Sequence, residues 1–165
     1  MNAINLYCKA NKRKRNDKAI GAYAYILKDE KGYKEEVYIL DGEMRVGRLE
    51  LLALVSGLKD LGMQNKLNGE NQVNLYVSNE YILEELIKGI EDQLAGKALN
   101  FSKGTEYIDL WQEIENLLAK CQGYTVTGLN KKDRGECEEE IKRSMGALNK
   151  IVCDRINSCL REIEG

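Results

Sequence analysis

Three runs of alternating apolar and polar residues come before any helical stripe, and that order restricts the chain to folds that open with an antiparallel meander. Ile4 to Lys9 alternates Ile4, Leu6 and Cys8 against Asn5, Tyr7 and Lys9. A basic stretch, Asn11 to Lys18, follows; then come Ile20 to Lys28, a turn at Asp29 to Gly32, and Tyr33 to Leu40 ending at Asp41-Gly42. From Arg48 the period becomes helical, with Leu51, Leu54, Val55, Leu58 and Leu61 on one stripe that is predicted to end at Gly62. Gln72 to Val77 alternates again, and Ser78 is placed to cap a helix running through Leu83, Leu86 and Ile87 toward Gly89.

Gly89 to Gly104 is weakly patterned. Tyr107 to Lys120 carries Ile108, Trp111, Ile114, Leu117 and Leu118 on one helical face, Tyr124 to Thr127 is a short strand, and Gly128 to Gly135 is a charged loop. From Glu136, Ile141, Met145, Leu148, Val152, Ile156, Cys159 and Ile163 step by three or four through one long terminal helix or two, with Gly146 as the candidate break. No repeat and no proline divides this order, so residues 1–165 read as a single α/β domain. Its sheet is expected to be mixed, antiparallel at one edge and parallel elsewhere, with helices on its faces.

Composition narrows the chemistry. With 43% hydrophobic and 32% charged residues the chain can bury a core, and no apolar run is long enough for a transmembrane helix. The absence of His removes Ser-His, Cys-His and His-zinc arrangements. The five cysteines, Cys8, Cys121, Cys137, Cys153 and Cys159, form no C-x-x-C pair. An odd count without a signal-peptide pattern reads as reduced thiols packed as small hydrophobes, in a cytoplasmic protein. A net charge of -2 gives no long-range attraction for nucleic acid, so binding of that kind requires a local basic patch.

Several strings carry a family likeness. They are Leu6-Tyr7-Cys8-Lys9 in the first strand, Gly21-Ala22-Tyr23-Ala24-Tyr25-Ile26-Leu27 in the second, and Arg48-Leu49-Glu50-Leu51-Leu52-Ala53 opening the first helix. Val73 to Tyr81, Asp109-Leu110-Trp111, Val126-Thr127-Gly128 and Cys153-Asp154 follow in order. Over almost its whole length the chain thereby resembles the ribonuclease H family. The resemblance implies a five-stranded mixed sheet flanked by helices on both faces. It also implies a site in which four carboxylates gather two Mg²⁺ ions that activate water and stabilise the leaving oxygen when the RNA strand of a hybrid is cut.

Carried over residue by residue, that set is incomplete. Lys9 stands at the first-strand Asp position, Glu50 keeps the second carboxylate, and Ser78 stands at the third, with Glu80 two residues on. The fourth falls on Asp154 through the Cys-Asp match, or on Glu138 in a register with a shorter loop. At ~100° per residue, Asp154 lies about 160° from the apolar stripe of a continuous last helix. The family's catalytic-loop His, thought to help product release, falls on Leu129.

Each position also has a plain reading: Glu50 as a solvated glutamate in the first helical turn, Ser78 as an N-cap, Lys9 as an exposed strand-end lysine. Lys9 has a second reading, a fixed cation that replaces the electrostatic role of a lost metal and binds phosphate. Lys9, Lys12, Arg13, Lys14, Arg15 and Lys18 lie close together with Asp17 as the one acid among them, and read either as a solvated hairpin loop or as a phosphate-contacting face. Tyr7, Tyr23, Tyr25, Tyr33, Tyr38 and Tyr76 read as sheet packing and Trp111 as core.

These residues favour a ribonuclease H-like domain that has lost most of its two-metal site, needs no cofactor, and binds an RNA/DNA hybrid or RNA through Lys9 to Lys18. Two other readings stay open. One is an active ribonuclease H-type endonuclease with Mg²⁺ or Mn²⁺ held by Glu50, Glu80 and Asp154 or Glu138. The other is a protein-interaction module whose partner surface is Glu136 to Glu140 and the last helix. None of the three involves a membrane.

Overall fold

Strand β1 (Asn2–Arg15) does not stop at Lys9 but continues through the basic stretch, paired with β2 (Lys18–Lys28) as far as Arg15 opposite Lys18. The segment expected to be a charged loop is therefore mostly strand. Its turn is Asn16-Asp17, with φ of 49° and 65°. A two-residue hairpin that matches strand twist needs both central residues left-handed, and Asn and Asp tolerate this better than other non-glycines. Ladder hydrogen bonds hold the exposed segment extended, which apolar patterning does not report.

The computed structural model describes residues 2–101, 106–129 and 139–164. After β3 (Tyr33–Asp41) come α1 (Val46–Met63), β4 (Asn71–Val77), α2 (Glu80–Leu94), α3 (Ile108–Leu118), β5 (Tyr124–Gly128) and α4 (Glu139–Glu164). The sheet order is β3-β2-β1-β4-β5, with β1, β2 and β3 antiparallel and β1, β4 and β5 parallel. This is the mixed sheet that the order of periods predicts.

Both faces are covered. On one, α1, α2 and α3 bury Leu54, Leu58, Leu86 and Trp111 over Leu6 and Leu75. On the other, α4 lays Met145, Leu148, Val152, Ile156 and Leu160 across Tyr7, Ile20, Ala22 and Ile26. The terminal stripe is one continuous helix that passes through Gly146. Among the described residues no helix is long and apolar enough to cross a membrane.

Helix α1 ends at Met63, and the left-handed residue that follows is Asn65, at φ 56°, rather than Gly62. Helix α2 runs past Gly89 to Leu94. Gly89 serves packing instead: a Cβ there would collide with the Tyr124 hydroxyl, which donates to the Leu86 carbonyl at 2.6 Å, and with the Phe101 ring. At the far end of α1, buried Asp60 accepts from Tyr25 Oη and Gln64 Nε2, each at 2.8 Å, and pairs with Lys34 Nζ at 2.7 Å. Of the tyrosines read as sheet packing, Tyr7 is stacked on Tyr76 at 4.4 Å, Tyr23 is stacked on Tyr38 at 5.1 Å and Tyr25 is buried, whereas Tyr33 is 53% exposed and its hydroxyl donates to Glu35. Trp111, Cys8 and Cys121 are buried, and Cys137 lies outside the described residues.

Candidate functional site

The parallel pairing of β1 with β4 stops at Tyr7 opposite Tyr76 and that of β4 with β5 at Val77 opposite Gly128, so Lys9, Ser78 and Leu129 fall just beyond the same end of the parallel ladders, where α1 and α2 begin. Glu50 reaches this point from the first turns of α1. It is not solvated: it is 2% exposed, and its two oxygens accept the backbone N–H groups of Ser78 at 3.2 Å and Asn79 at 2.8 Å. Burial pushes its carboxyl up to about 7, against the pull of those two N–H groups and of the Lys9 charge. Beside it, burial and the Glu50 charge push the Cys8 thiol well above its usual range, so it stays protonated and inert.

Ser78 is not the helix cap. Its N–H is turned to Glu50, and Asn79 caps α2 instead, Oδ1 accepting from Ile82 N at 3.1 Å. Asn ranks with Ser at this position, so sequence preference does not separate the two neighbours. The Ser78 hydroxyl is left buried with no hydrogen-bond partner among the described residues. Lys9 is half-buried rather than exposed. Leu129 is 2% exposed, donates its N–H to the Val77 carbonyl at 2.9 Å and packs into the core under α4.

Glu80 is exposed in the first turn of α2, Glu138 lies outside the described residues, and Asp154 is exposed on α4. Asp154 lines an open groove of about 650 Å³ with Arg13, Lys14, Arg15, Asn157 and Arg161. Among the described residues no three of His, Cys, Asp and Glu gather where they could hold a metal ion. Magnesium needs several oxygen ligands in strict octahedral geometry. The described residues offer it Glu50, already bonded to two backbone donors and under the field of the Lys9 ammonium, and do not fit that need.

Strand alternation divides the basic cluster. Asn11 and Arg13 turn toward α4, where Asn11 Nδ2 meets Cys153 Sγ at 3.8 Å and Arg13 Nη1 donates to Asn157 Oδ1 at 2.5 Å. Lys14 instead pairs with Glu43 at 3.1 Å. Lys12 is exposed on the strand, and Lys18, also exposed, opens β2 opposite Arg15. Asn157 and Arg161 carried no signal in the sequence, because their proximity to the hairpin follows from how α4 crosses β1.

No family model matches the sequence, and no curated protein does. Solved structures match the fold. LC11-RNase H1, isolated from compost, aligns at 18% identity and TM-score 0.64, over 97% of this chain and 99% of its own. The same protein in complex with an RNA/DNA hybrid aligns at 17% identity and TM-score 0.61, over 95% and 99%. The PFV RNase H domain gives 14% identity and TM-score 0.65, over 93% of each chain. The chain has the ribonuclease H fold.

Proposed function

We propose that this protein binds nucleic acid through the basic β1–β2 hairpin and the Lys9 end of the sheet, without the two-metal cleavage chemistry. The observation that carries the reading is the pairing of roles at one point. A lysine stands on β1 just beyond its parallel pairing with β4, and both oxygens of the buried Glu50 beside it accept from the backbone N–H groups of Ser78 and Asn79. A carboxylate used in this way acts as a structural tie between α1 and the β4–α2 junction. The lysine supplies the positive charge that a phosphate needs, with no bound ion.

A solved structure of the same fold holds an RNA/DNA hybrid, which supports a nucleic-acid partner for this chain too. The chain's acidic balance of -2 makes the hairpin cations the local source of attraction. In this reading the protein requires no cofactor and works in the cytoplasm.

The test is a fluorescence-anisotropy titration of a labelled RNA/DNA hybrid at two salt concentrations, with and without Mg²⁺ or Mn²⁺, with the same samples run on a gel. Binding should weaken steeply with salt, ~0.7–0.9 log units per tenfold change in salt for each phosphate contacted, and should be indifferent to metal. Arg13→Ala should lower that slope by about one contact. Metal-dependent cleavage abolished by Glu50→Gln would overturn the reading in favour of an active nuclease. No binding at low salt would leave a protein-interaction module.

A further inference from the structure

We infer that α2 is the docking site for a basic amphipathic helix of another protein, which seats its apolar face on Leu83, Ile87, Ile90 and Leu94 and its cations on Glu84 and Glu91. The inference stands apart from the nucleic-acid reading and uses a different surface. Helix α2 packs on β4, β5 and α1, and buries Ile82, Leu86 and Gly89. At about 100° per residue, Leu83, Ile87, Ile90 and Leu94 form a second apolar stripe, about 100° around the helix from the buried one.

The core does not absorb this second stripe. Leu94 is 84% exposed and Ile87 40%, while Leu83 and Ile90 are half-buried between them and the core. Exposed apolar residues scattered singly need no explanation, but four in one line along a helix present a continuous surface. Their spacing, Leu83 to Ile87 to Ile90 to Leu94, is that of a seam between two helices, in which each apolar side chain fits between those of the facing helix.

Charge selects the occupant. Glu84 and Glu91, both exposed, border the stripe on its solvent side, about 80° from its centre line, and the helix's one base, Lys88, lies farther round at about 130°. An antiparallel copy of α2 seated on the stripe would set these two acids beside the same two residues of the copy. An anionic lipid surface or a phosphate backbone would meet them with its own negative charge. A helix that carries Lys or Arg next to its apolar stripe pairs with them instead, as flanking charges choose the partner in a coiled coil.

The experiment measures anisotropy of two fluorescein-labelled helical peptides that share one Leu stripe, flanked in one by Lys and in the other by Glu, titrated with the whole chain. Leu94→Gln and the double variant Glu84→Lys with Glu91→Lys change exposed side chains, and circular dichroism checks that each keeps its fold. Wild type should bind the Lys peptide about tenfold more tightly than the Glu peptide, by a margin that shrinks in high salt. Leu94→Gln should weaken the Lys peptide about tenfold, as losing one leucine from a seam implies, and should leave RNA/DNA hybrid binding unchanged. The double charge reversal should invert the peptide preference. No saturable binding of the Lys peptide, equal affinity for the two peptides, a preference that survives the reversal, or indifference to Leu94→Gln overturns this inference and leaves nucleic-acid binding standing. Self-association of wild type that Leu94→Gln abolishes, read by analytical ultracentrifugation, overturns it in favour of a second copy. Failure of the hybrid to bind overturns the nucleic-acid reading alone.

Discussion

Glu50 Oε2 accepts the backbone N–H of Asn79 at 2.8 Å, so a side chain of α1 fixes the residue that caps α2. The tie holds together the two helix starts that frame the ends of the parallel strands.

The pH dependence of that tie has a definite sign. Burial raises Glu50 from 4.5 to about 7 in the folded state, so folding favours its protonated form. The stability it contributes is complete below the unfolded value and is lost as pH rises through about 7. A shift of this size corresponds to at most about 3 kcal/mol. Urea unfolding between about pH 5 and about pH 8 should show wild type falling in stability relative to Glu50→Gln. Parallel curves would show that Glu50 is not the titrating group.

Asp60 behaves in the opposite sense. Burial pushes its carboxyl up, but the donors on Lys34, Gln64 and Tyr25 outweigh this and hold it below the usual range. Its contribution is present above the unfolded value and lost as pH falls through the lower folded one. Tyr25→Phe removes a hydrogen bond of 2.8 Å to a buried charge and should cost roughly 1.5–3 kcal/mol at neutral pH. Lys34→Ala should cost less, because its side chain is 46% exposed and screened by water. A Tyr25→Phe protein as stable as wild type would remove Asp60 from the list of stabilising groups.

Gly89 tests the fit of α2 against β5. Gly89→Ala drives a methyl into the Tyr124 hydroxyl and the Phe101 ring, and should cost about 1–3 kcal/mol through strain. Tyr124→Phe removes the nearest obstacle along with its bond to the Leu86 carbonyl. The double variant should therefore be less destabilised than the sum of the two single variants. Strict additivity in the mutant cycle would contradict the contact.

In the hairpin, Asp17 sits at φ 65°, a conformation that costs an L-residue energy and glycine almost none. Asp17→Gly should raise stability by roughly 0.5–1 kcal/mol, read as a higher Tm. A lowered Tm would mean that this turn is not the left-handed pair described.

The sequence by itself determined the element types, the mixed sheet and the two buried faces, because apolar periodicity records which side of each strand and helix is covered. Leu51, Leu54 and Leu58, or Leu148, Val152 and Ile156, needed no structure to be assigned to a core. It also marked Lys9, Glu50 and Ser78 as one site, through a resemblance carried by local strings. Only the tertiary structure decided what the polar residues do. A carboxylate near the start of a helix is solvated or buried according to where another chain segment leaves its N–H groups, and Glu50 meets Ser78 and Asn79 across a sequence distance that no local pattern spans. The basic run became strand because β2 pairs with it to the last residue, and Asp154 acquired cationic neighbours because α4 crosses β1 where it does. Periodicity sums over many residues and survives such detail; the fate of one charge depends on a single contact made at long range.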